Sequence, residues 1–126
     1  VESGPCARVE LDELLGWADL ISVHVPGDPN GRPVLDTSKL ALLRQGACLI
    51  NCSRGGVVDE SALYLALESG HLSGAALDVF ADEPYKGPLA GLENVVLTPH
   101  VGSYARESRI EMEIESAENL IAELGI

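Results

Sequence analysis

The chain has 126 residues, of which 46% are hydrophobic, 22% are charged and 4% are aromatic. This length fits one domain with a single core, and this composition excludes a disordered chain. The formal net charge of −12 arises from 20 acidic and 8 basic residues, and no cluster of Lys or Arg could follow a phosphate backbone, so nucleic acid is not an expected partner.

Helical and strand patterns alternate along the chain. Helices are predicted where apolar residues recur every three or four positions between capping residues, and strands where short apolar runs are rich in β-branched residues. In chain order the prediction is a helix at 11–18, a strand at 20–25, a helix at 36–46, a strand at 47–52, a helix at 59–70, strands at 74–80 and 94–99, and a helix from Ser103 onward.

The last predicted helix is amphipathic. Its apolar residues form one stripe, and its many glutamates are expected to form a solvated face. The stripe comprises Ile110, Ile114, Ala117, Ile121 and Leu124.

Apolar strands that are separated by helices predict a parallel sheet with helices on both faces. The expected fold class is therefore α/β, with three layers (α/β/α) and about four parallel strands. No run approaches the roughly 20 apolar residues that a membrane span needs, and the opening sequence "VES" does not resemble a signal peptide. We expect a cytoplasmic protein without a membrane partner.

Polar side chains follow every predicted strand. In an open parallel sheet, ligands bind beyond the carboxyl ends of the strands, where the loops converge. Residues at these positions are therefore candidates for one site. At or just after the strand ends they are His24 and Pro26 for the first strand, Ser53 and Arg54 for the second, Asp78, Asp82 and Glu83 for the third, and His100 for the fourth.

Arg54, His100 and Glu83 form a workable chemical unit. A guanidinium matches a carboxylate with a planar fork, and a histidine exchanges a proton near neutral pH, helped by a neighbouring carboxylate. Such a unit suits a small 2-hydroxy or 2-oxo acid. Each residue also has a purely structural interpretation, as a strand-end histidine, a surface ion pair or a solvated turn carboxylate.

Two other kinds of site are disfavoured by the sequence. A hydrolase built from Ser53, His100 and Asp78 lacks the G-x-S-x-G elbow around its serine. A metal site built from His24, Cys52 and His100 lacks a short-range ligand pair such as C-x-x-C. The three cysteines of the chain are expected to be reduced thiols.

Four segments carry a family resemblance: "DLISVHVP", "GACLINCSRGGVVDESAL", "GAALDVFADEP" and "NVVLTPHVGSYARES". In this order and spacing they resemble the signatures of the D-isomer-specific 2-hydroxyacid dehydrogenases, and more particularly of phosphoglycerate-dehydrogenase-like members. The resemblance runs from about Leu11 to Leu124. It implies an NAD-dependent oxidoreductase that acts on a small D-2-hydroxy or 2-oxo acid.

The resemblance also implies residue roles. Arg54 is expected to bind the substrate, His100 to act as acid and base, and Glu83 to be the carboxylate partner of His100. Asp78 resembles the residue that hydrogen-bonds the nicotinamide carboxamide. The residues expected to line the nicotinamide and its ribose are His24, Val25, Pro26, Cys52, Ser53 and Gly102, and Gly55 and Gly56 are expected to let their loop pass close to the cofactor.

One family motif is not found in this sequence. The dinucleotide fingerprint G-x-G-x-x-G is absent, as is the acidic residue about 20 positions later that holds the adenine ribose. The resemblance thus implies a partial Rossmann domain at 1–126 that lacks the first βαβ unit and the substrate domain. We expect weak or absent NAD binding and no activity from this chain alone.

The partial domain implies an exposed strand. In the family order, the strand at 20–25 pairs with a strand that is not in this sequence, so it is expected to be an edge. Residues 7–9 match a short strand that would lose its neighbour and fray. We expect self-association through this edge or through apolar helix surfaces. An alternative function is a non-catalytic half-Rossmann fragment that serves in folding or assembly.

Overall fold

The computed structural model describes residues 6–102 and 104–125. Its four strands form one parallel sheet in the order β1-β2-β3-β4. The strands are β1 (Leu20–Val23), β2 (Cys48–Asn51), β3 (Gly74–Leu77) and β4 (Val95–Leu97), and the helices are α1 (Leu11–Trp17), α2 (Thr37–Leu40), α3 (Glu60–Glu68) and α4 (Arg106–Leu124), with a 3-10 helix at Pro88–Gly91. The predicted α/β class with about four parallel strands is confirmed.

Most elements are shorter than predicted, and the largest difference lies in the second helix. The helix predicted at 36–46 covers only Thr37–Leu40, because the next turn tightens: Leu42 N–H bonds the Lys39 carbonyl and the chain then turns at Gly46, where φ is +85°. Residues 7–9 form no strand, in line with the expectation that this segment frays without its neighbour. The predicted start of the last helix at Ser103 and the opening segment "VES" lie outside the described residues.

Helices α1, α2 and α3 all pack on the same face of the sheet. Burial alternates along β1, β2 and β3, so that every second side chain of each strand is buried at the core. The strands follow one another in sequence order across the sheet, so right-handed crossovers place α2 and α3 on one side, where α1 packs beside α2. The expected helices on both faces are thus not seen among the described residues, where α1–α3 form a single layer.

The opposite face of the sheet, here called the open face, is only partly covered. Leu20 and Val96 on this face are 58% and 63% exposed. The open face consists of Leu20, Ser22, Cys48, Ile50, Gly74, Ala76 and Val96.

The core lies between the sheet and the helix layer. Leu15 of α1, Leu49 of β2, Leu63 of α3 and Leu89 of the 3-10 helix have no exposed surface. Helix α4 forms as predicted, but it buries none of its residues, so its apolar stripe stays exposed. None of the helices in the described part of the chain has the length and apolarity to cross a membrane.

Candidate functional site

The carboxyl ends of the four strands are aligned at one edge of the sheet. The register pairs Val23 with Asn51, Asn51 with Leu77, and Leu77 with Leu97. The loops that carry the candidate residues therefore start side by side, with neighbouring strands about 4.8 Å apart.

His100 is paired with Glu83 at this edge. The imidazole Nδ1 lies 3.0 Å from Glu83 Oε2 and 3.2 Å from Oε1. Glu83 also accepts a 3.0 Å bond from the Phe80 N–H. The hydrogen bond with His100, followed by the one from Phe80, lowers the pKa of Glu83, so the carboxylate stays ionised at neutral pH. This arrangement engages Nδ1 and leaves the half-exposed ring with Nε2 available for a substrate.

The backbone of His100 is held in an uncommon conformation. Its φ is +55°, a left-handed value that costs about 1–2 kcal/mol for residues other than glycine. The preceding residue is Pro99, and the His100 N–H donates to the Thr98 carbonyl at 3.0 Å. The loop therefore needs other contacts to hold this turn.

Asp78 supplies those contacts. Its Oδ1 accepts hydrogen bonds from the Thr98 hydroxyl and from the Val101 N–H, the latter at 2.8 Å, and its Oδ2 accepts from the Gly102 N–H at 2.8 Å. Burial alone would raise the pKa of Asp78, but the bonds from Thr98, Val101 and Gly102 outweigh it and lower the pKa. The buried carboxylate is therefore ionised and engaged on both sides of His100.

Asn51 organises the loop of Arg54 in the same way. Its Oδ1 accepts from the Ser53 N–H at 3.1 Å and from the Ser53 hydroxyl at 2.8 Å, and its Nδ2 donates to the Arg54 carbonyl at 3.1 Å. This is an Asx-type turn at the end of β2. Arg54 itself is exposed and donates from Nη1 to the Ser53 carbonyl at 2.7 Å.

The guanidinium of Arg54 has no carboxylate partner among the residues that the structure describes. No hydrogen bond or salt bridge joins Arg54 to Glu83 or His100. The fork is therefore available for an external carboxylate.

Phe80 connects the Arg54 loop to the His100–Glu83 pair. A Cβ atom at Gly55 would lie 1.9 Å from the Phe80 carbonyl oxygen, so the two backbones are in direct contact there. The Phe80 N–H binds Glu83, which binds His100. The close approach that Gly55 permits is thus made to the protein's own backbone, and Gly56 has a φ of +74° that completes the turn.

The residues predicted to line the nicotinamide fall in two places. A pocket of about 320 Å³ is lined by His24, Val25, Pro26, Ser53 and Arg54, and His24 Nε2 lies 2.7 Å from the Ser22 hydroxyl. The exposed thiol of Cys52 lies next to Ser53 in the chain. Gly102 lies apart from this pocket and donates to Asp78.

A second cavity of about 560 Å³ lies behind Glu83. The rings of Phe80 and Tyr85 stack in it with centroids 4.4 Å apart. Its lining consists of Phe80, Glu83, Pro84, Tyr85, Ala90, Leu97, Thr98 and Pro99.

Sequence reasoning missed Asn51, Thr98 and the backbone role of Phe80. An asparagine at a strand end, two residues before a serine, is typical of an Asx turn and could have pointed to Asn51. Nothing in the sequence pattern identifies the Thr98–Asp78 bond, which joins residues 20 positions apart.

The chain is similar in sequence and in fold to known proteins. Residues 1–102 match the sequence profile of the D-isomer specific 2-hydroxyacid dehydrogenase family, NAD binding domain. The chain is similar to D-3-phosphoglycerate dehydrogenase of Synechocystis, with 41% identity over 91% of this chain and 21% of the relative. It is also similar to glyoxylate reductase of Aeropyrum pernix, with 43% identity over 89% of this chain and 34% of the relative.

A solved structure shares the fold. The D-isomer specific 2-hydroxyacid dehydrogenase of Xanthobacter autotrophicus Py2, in complex with NADPH and MES, superposes with a TM-score of 0.69 at 43% identity, over 72% of this chain and 30% of that one. The chain thus spans about a fifth to a third of the length of these relatives.

Proposed function

Because the chain belongs to the D-isomer-specific 2-hydroxyacid dehydrogenase family, within its NAD-binding domain, we propose that it carries the substrate-facing residues of an oxidoreductase that transfers a hydride between a nicotinamide cofactor and a small D-2-hydroxy or 2-oxo acid. The observation that supports this most is the His100–Glu83 pair at 3.0 Å, on a sheet edge shared with Arg54. A 3-phosphoglycerate-like acid is our proposed substrate.

Arg54 is the proposed carboxylate-binding residue. Its guanidinium is exposed and has no acidic partner among the described residues, and a planar fork of N–H donors can bind both oxygens of a carboxylate. The turn held by Asn51 fixes the backbone of Arg54, so the guanidinium extends from a fixed point of the chain. Binding the acid group here would orient its C2 carbonyl towards the edge of β3 and β4.

His100 is the proposed acid and base. Glu83 accepts a hydrogen bond from the Nδ1–H of His100, which directs the other ring nitrogen, Nε2, to the substrate. In the reducing direction Nε2 donates a proton to the C2 oxygen, and in the oxidising direction it accepts the hydroxyl proton. Glu83 keeps its charge throughout, because its hydrogen bonds lower its pKa.

The pocket at the ends of β1 and β2 fits part of a nicotinamide nucleotide. Val25 and Pro26 give it an apolar wall and Ser53 a hydroxyl, which suits an aromatic ring that carries polar groups. We propose that these residues with His24 and Cys52 line the nicotinamide and its ribose. A bound nicotinamide supplies or accepts the hydride.

The test uses the full-length protein that contains this sequence. NADH and NADPH oxidation should be followed with glyoxylate, hydroxypyruvate and 3-phosphohydroxypyruvate. Arg54→Gln should raise KM for the acid about 10²-fold with a smaller effect on kcat, because each hydrogen bond to a charged group contributes about 1.5–3 kcal/mol. His100→Asn should mainly lower kcat.

Arg44→Gln is the matched control, since Arg44 pairs with Asp19 on the surface and should be replaceable without loss of activity. The proposal fails if the purified protein oxidises neither cofactor with any of these acids. It also fails if Arg54→Gln and Arg44→Gln have the same KM.

A second candidate function applies to the 126-residue chain by itself: a non-catalytic half-Rossmann unit that serves in folding or assembly. The absence of G-x-G-x-x-G from the sequence and the exposed open face favour it. Calorimetric titration of this chain with NADH tests the second candidate, because micromolar affinity would argue against it.

A further inference from the structure

Two polar side chains are buried at the carboxyl edge of the sheet. Among the residues that the structure describes, Asn51 and Asp78 are the buried polar ones, with 2% and 4% of their surface exposed. Asn51 is the last residue of β2 and Asp78 directly follows β3. The Asp78 N–H donates to the Asn51 carbonyl at 3.0 Å, so the two residues are direct neighbours.

Each of these side chains holds a different loop. The three side-chain hydrogen bonds of Asn51 all go to Ser53 and Arg54. The three side-chain bonds of Asp78 go to Thr98, Val101 and Gly102, on both sides of His100. Burial is expensive for such groups unless they are fully paired, so these bonds fix the loops in one arrangement.

We propose that Asn51 and Asp78 are the positioning residues of this site: Asn51 sets the backbone of Arg54, and Asp78 holds the left-handed turn at His100. The proposal rests on the proposed function, since it assigns roles relative to Arg54 and His100. It gives Asp78 a structural task in addition to the cofactor contact that the family resemblance implies.

The hydrogen bonds of Asp78 support this structural task. A carboxylate has about four acceptor positions, and three of them are used within the chain. Gly102 supports the same assignment, because a Cβ atom there would lie 3.0 Å from Asp78 Oδ2. A glycine at position 102 thus permits the contact with Asp78, which gives a structural reason for the glycine there.

Thr98 gives the sharpest test of Asp78. Thr98→Val keeps the shape of the side chain but removes the hydroxyl that donates to Asp78, whereas Thr98→Ser keeps that donor. In the complete enzyme, Thr98→Val should lower kcat by about tenfold or more with little change in KM for the 2-oxo acid, because a small misplacement of a reacting group can cost up to about 10²-fold. Thr98→Ser should restore most of the rate.

Asn51→Asp tests the other residue. It keeps Oδ1 for Ser53 but replaces the donor to the Arg54 carbonyl with an oxygen, so KM for the acid should rise more than kcat falls. Thr37→Val, at an exposed threonine of α2, is the control and should leave both constants unchanged.

Hydrogen exchange keeps the test independent of catalysis. The Val101 and Gly102 amides should exchange faster in Thr98→Val than in Thr98→Ser and Thr37→Val, at equal global stability. The inference is overturned if Thr98→Val retains the wild-type kcat, or if these amides remain protected. An inactive wild-type enzyme with the expected exchange pattern would instead refute the proposed function and leave the loop positioning intact.

Discussion

Gly55 has no room for a side chain. A Cβ atom there would lie 1.9 Å from the Phe80 carbonyl oxygen and 2.3 Å from its carbon, both of which are backbone atoms that cannot rotate away. The contact joins the loop of Arg54 to the residue that binds Glu83. A single glycine therefore couples two parts of the site.

We expect Gly55→Ala to destabilise the protein by about 1–3 kcal/mol, as overpacking does elsewhere, and to displace the Arg54 loop. Gly16→Ala is the matched control, since Gly16 lies within α1 with no atom near its missing Cβ. That change should stabilise the protein by about 0.5–1 kcal/mol. Urea denaturation of both variants decides the matter, and equal effects of the two changes would contradict the steric explanation.

Asp78 gives the fold a defined acid sensitivity. Burial opposes its ionisation, but the bonds from Thr98, Val101 and Gly102 prevail, so its pKa in the folded protein is below the ordinary value of 3.8. A carboxyl group whose pKa is lower in the folded state than in the unfolded state stabilises the folded protein at any pH above its unfolded-state pKa. This stabilisation is lost as the pH falls from the unfolded-state pKa through the lower pKa of the folded state.

The free energy of unfolding should therefore decrease as the pH is lowered below about 4 to 5. Asp78→Asn should lower stability at neutral pH and make this acid limb shallower. Part of the slope should remain, because the pKa of Glu83 is also lowered. Urea denaturation at a series of pH values is the measurement, and an acid limb of unchanged slope in Asp78→Asn would show that Asp78 does not contribute.

The sequence pattern predicts the charged residues of the candidate site but not the residues that hold them. Arg54, Glu83 and His100 follow strand ends, and a parallel sheet brings all strand ends to one edge. The partners of Asn51 and Asp78 depend instead on loop conformations, including the positive φ of His100, which no periodic pattern specifies. Hydrogen bonds between residues 20 or more positions apart are beyond local sequence rules.

At the scale of elements, strand order decides where the helices lie. The alternation of strands and helices correctly indicated a parallel sheet, but it does not tell whether the order runs in one direction or reverses. Because β1 to β4 are adjacent in sequence order, their right-handed crossovers share one face. A sheet with helices on both faces needs a reversal of that order.

Helices α3 and α4 should contribute very differently to the stability of the 126-residue chain. Leu63 of α3 has no exposed surface, so Leu63→Ala should cost about 2–5 kcal/mol. Ile114 of α4 is 53% exposed and no residue of that helix is buried, so Ile114→Ala should cost less than about 0.5 kcal/mol. Thermal denaturation of the two variants tests this, and similar losses would mean that α4 packs on the core.

At the scale of the whole molecule, the open face and the β1 edge form one continuous unpaired surface. β1 ends the sheet on one side and pairs only with β2 among the described strands. The open face carries no charged residue, although the chain has a net charge of −12. An uncharged sheet surface with a free edge favours pairing with another chain.

We therefore expect the 126-residue chain to self-associate through β1 and the open face. Leu20→Lys should shift it towards monomer, because Leu20 lies on both surfaces and a lysine on an edge strand opposes pairing. Leu65→Lys is the control: Leu65 is 60% exposed, close to the 58% of Leu20, but lies on α3 in the helix layer. Sedimentation velocity at tens of micromolar should show association in wild type and Leu65→Lys and its loss in Leu20→Lys. A monomeric wild-type chain would contradict self-association, and association lost in Leu65→Lys alone would assign it to the helix layer.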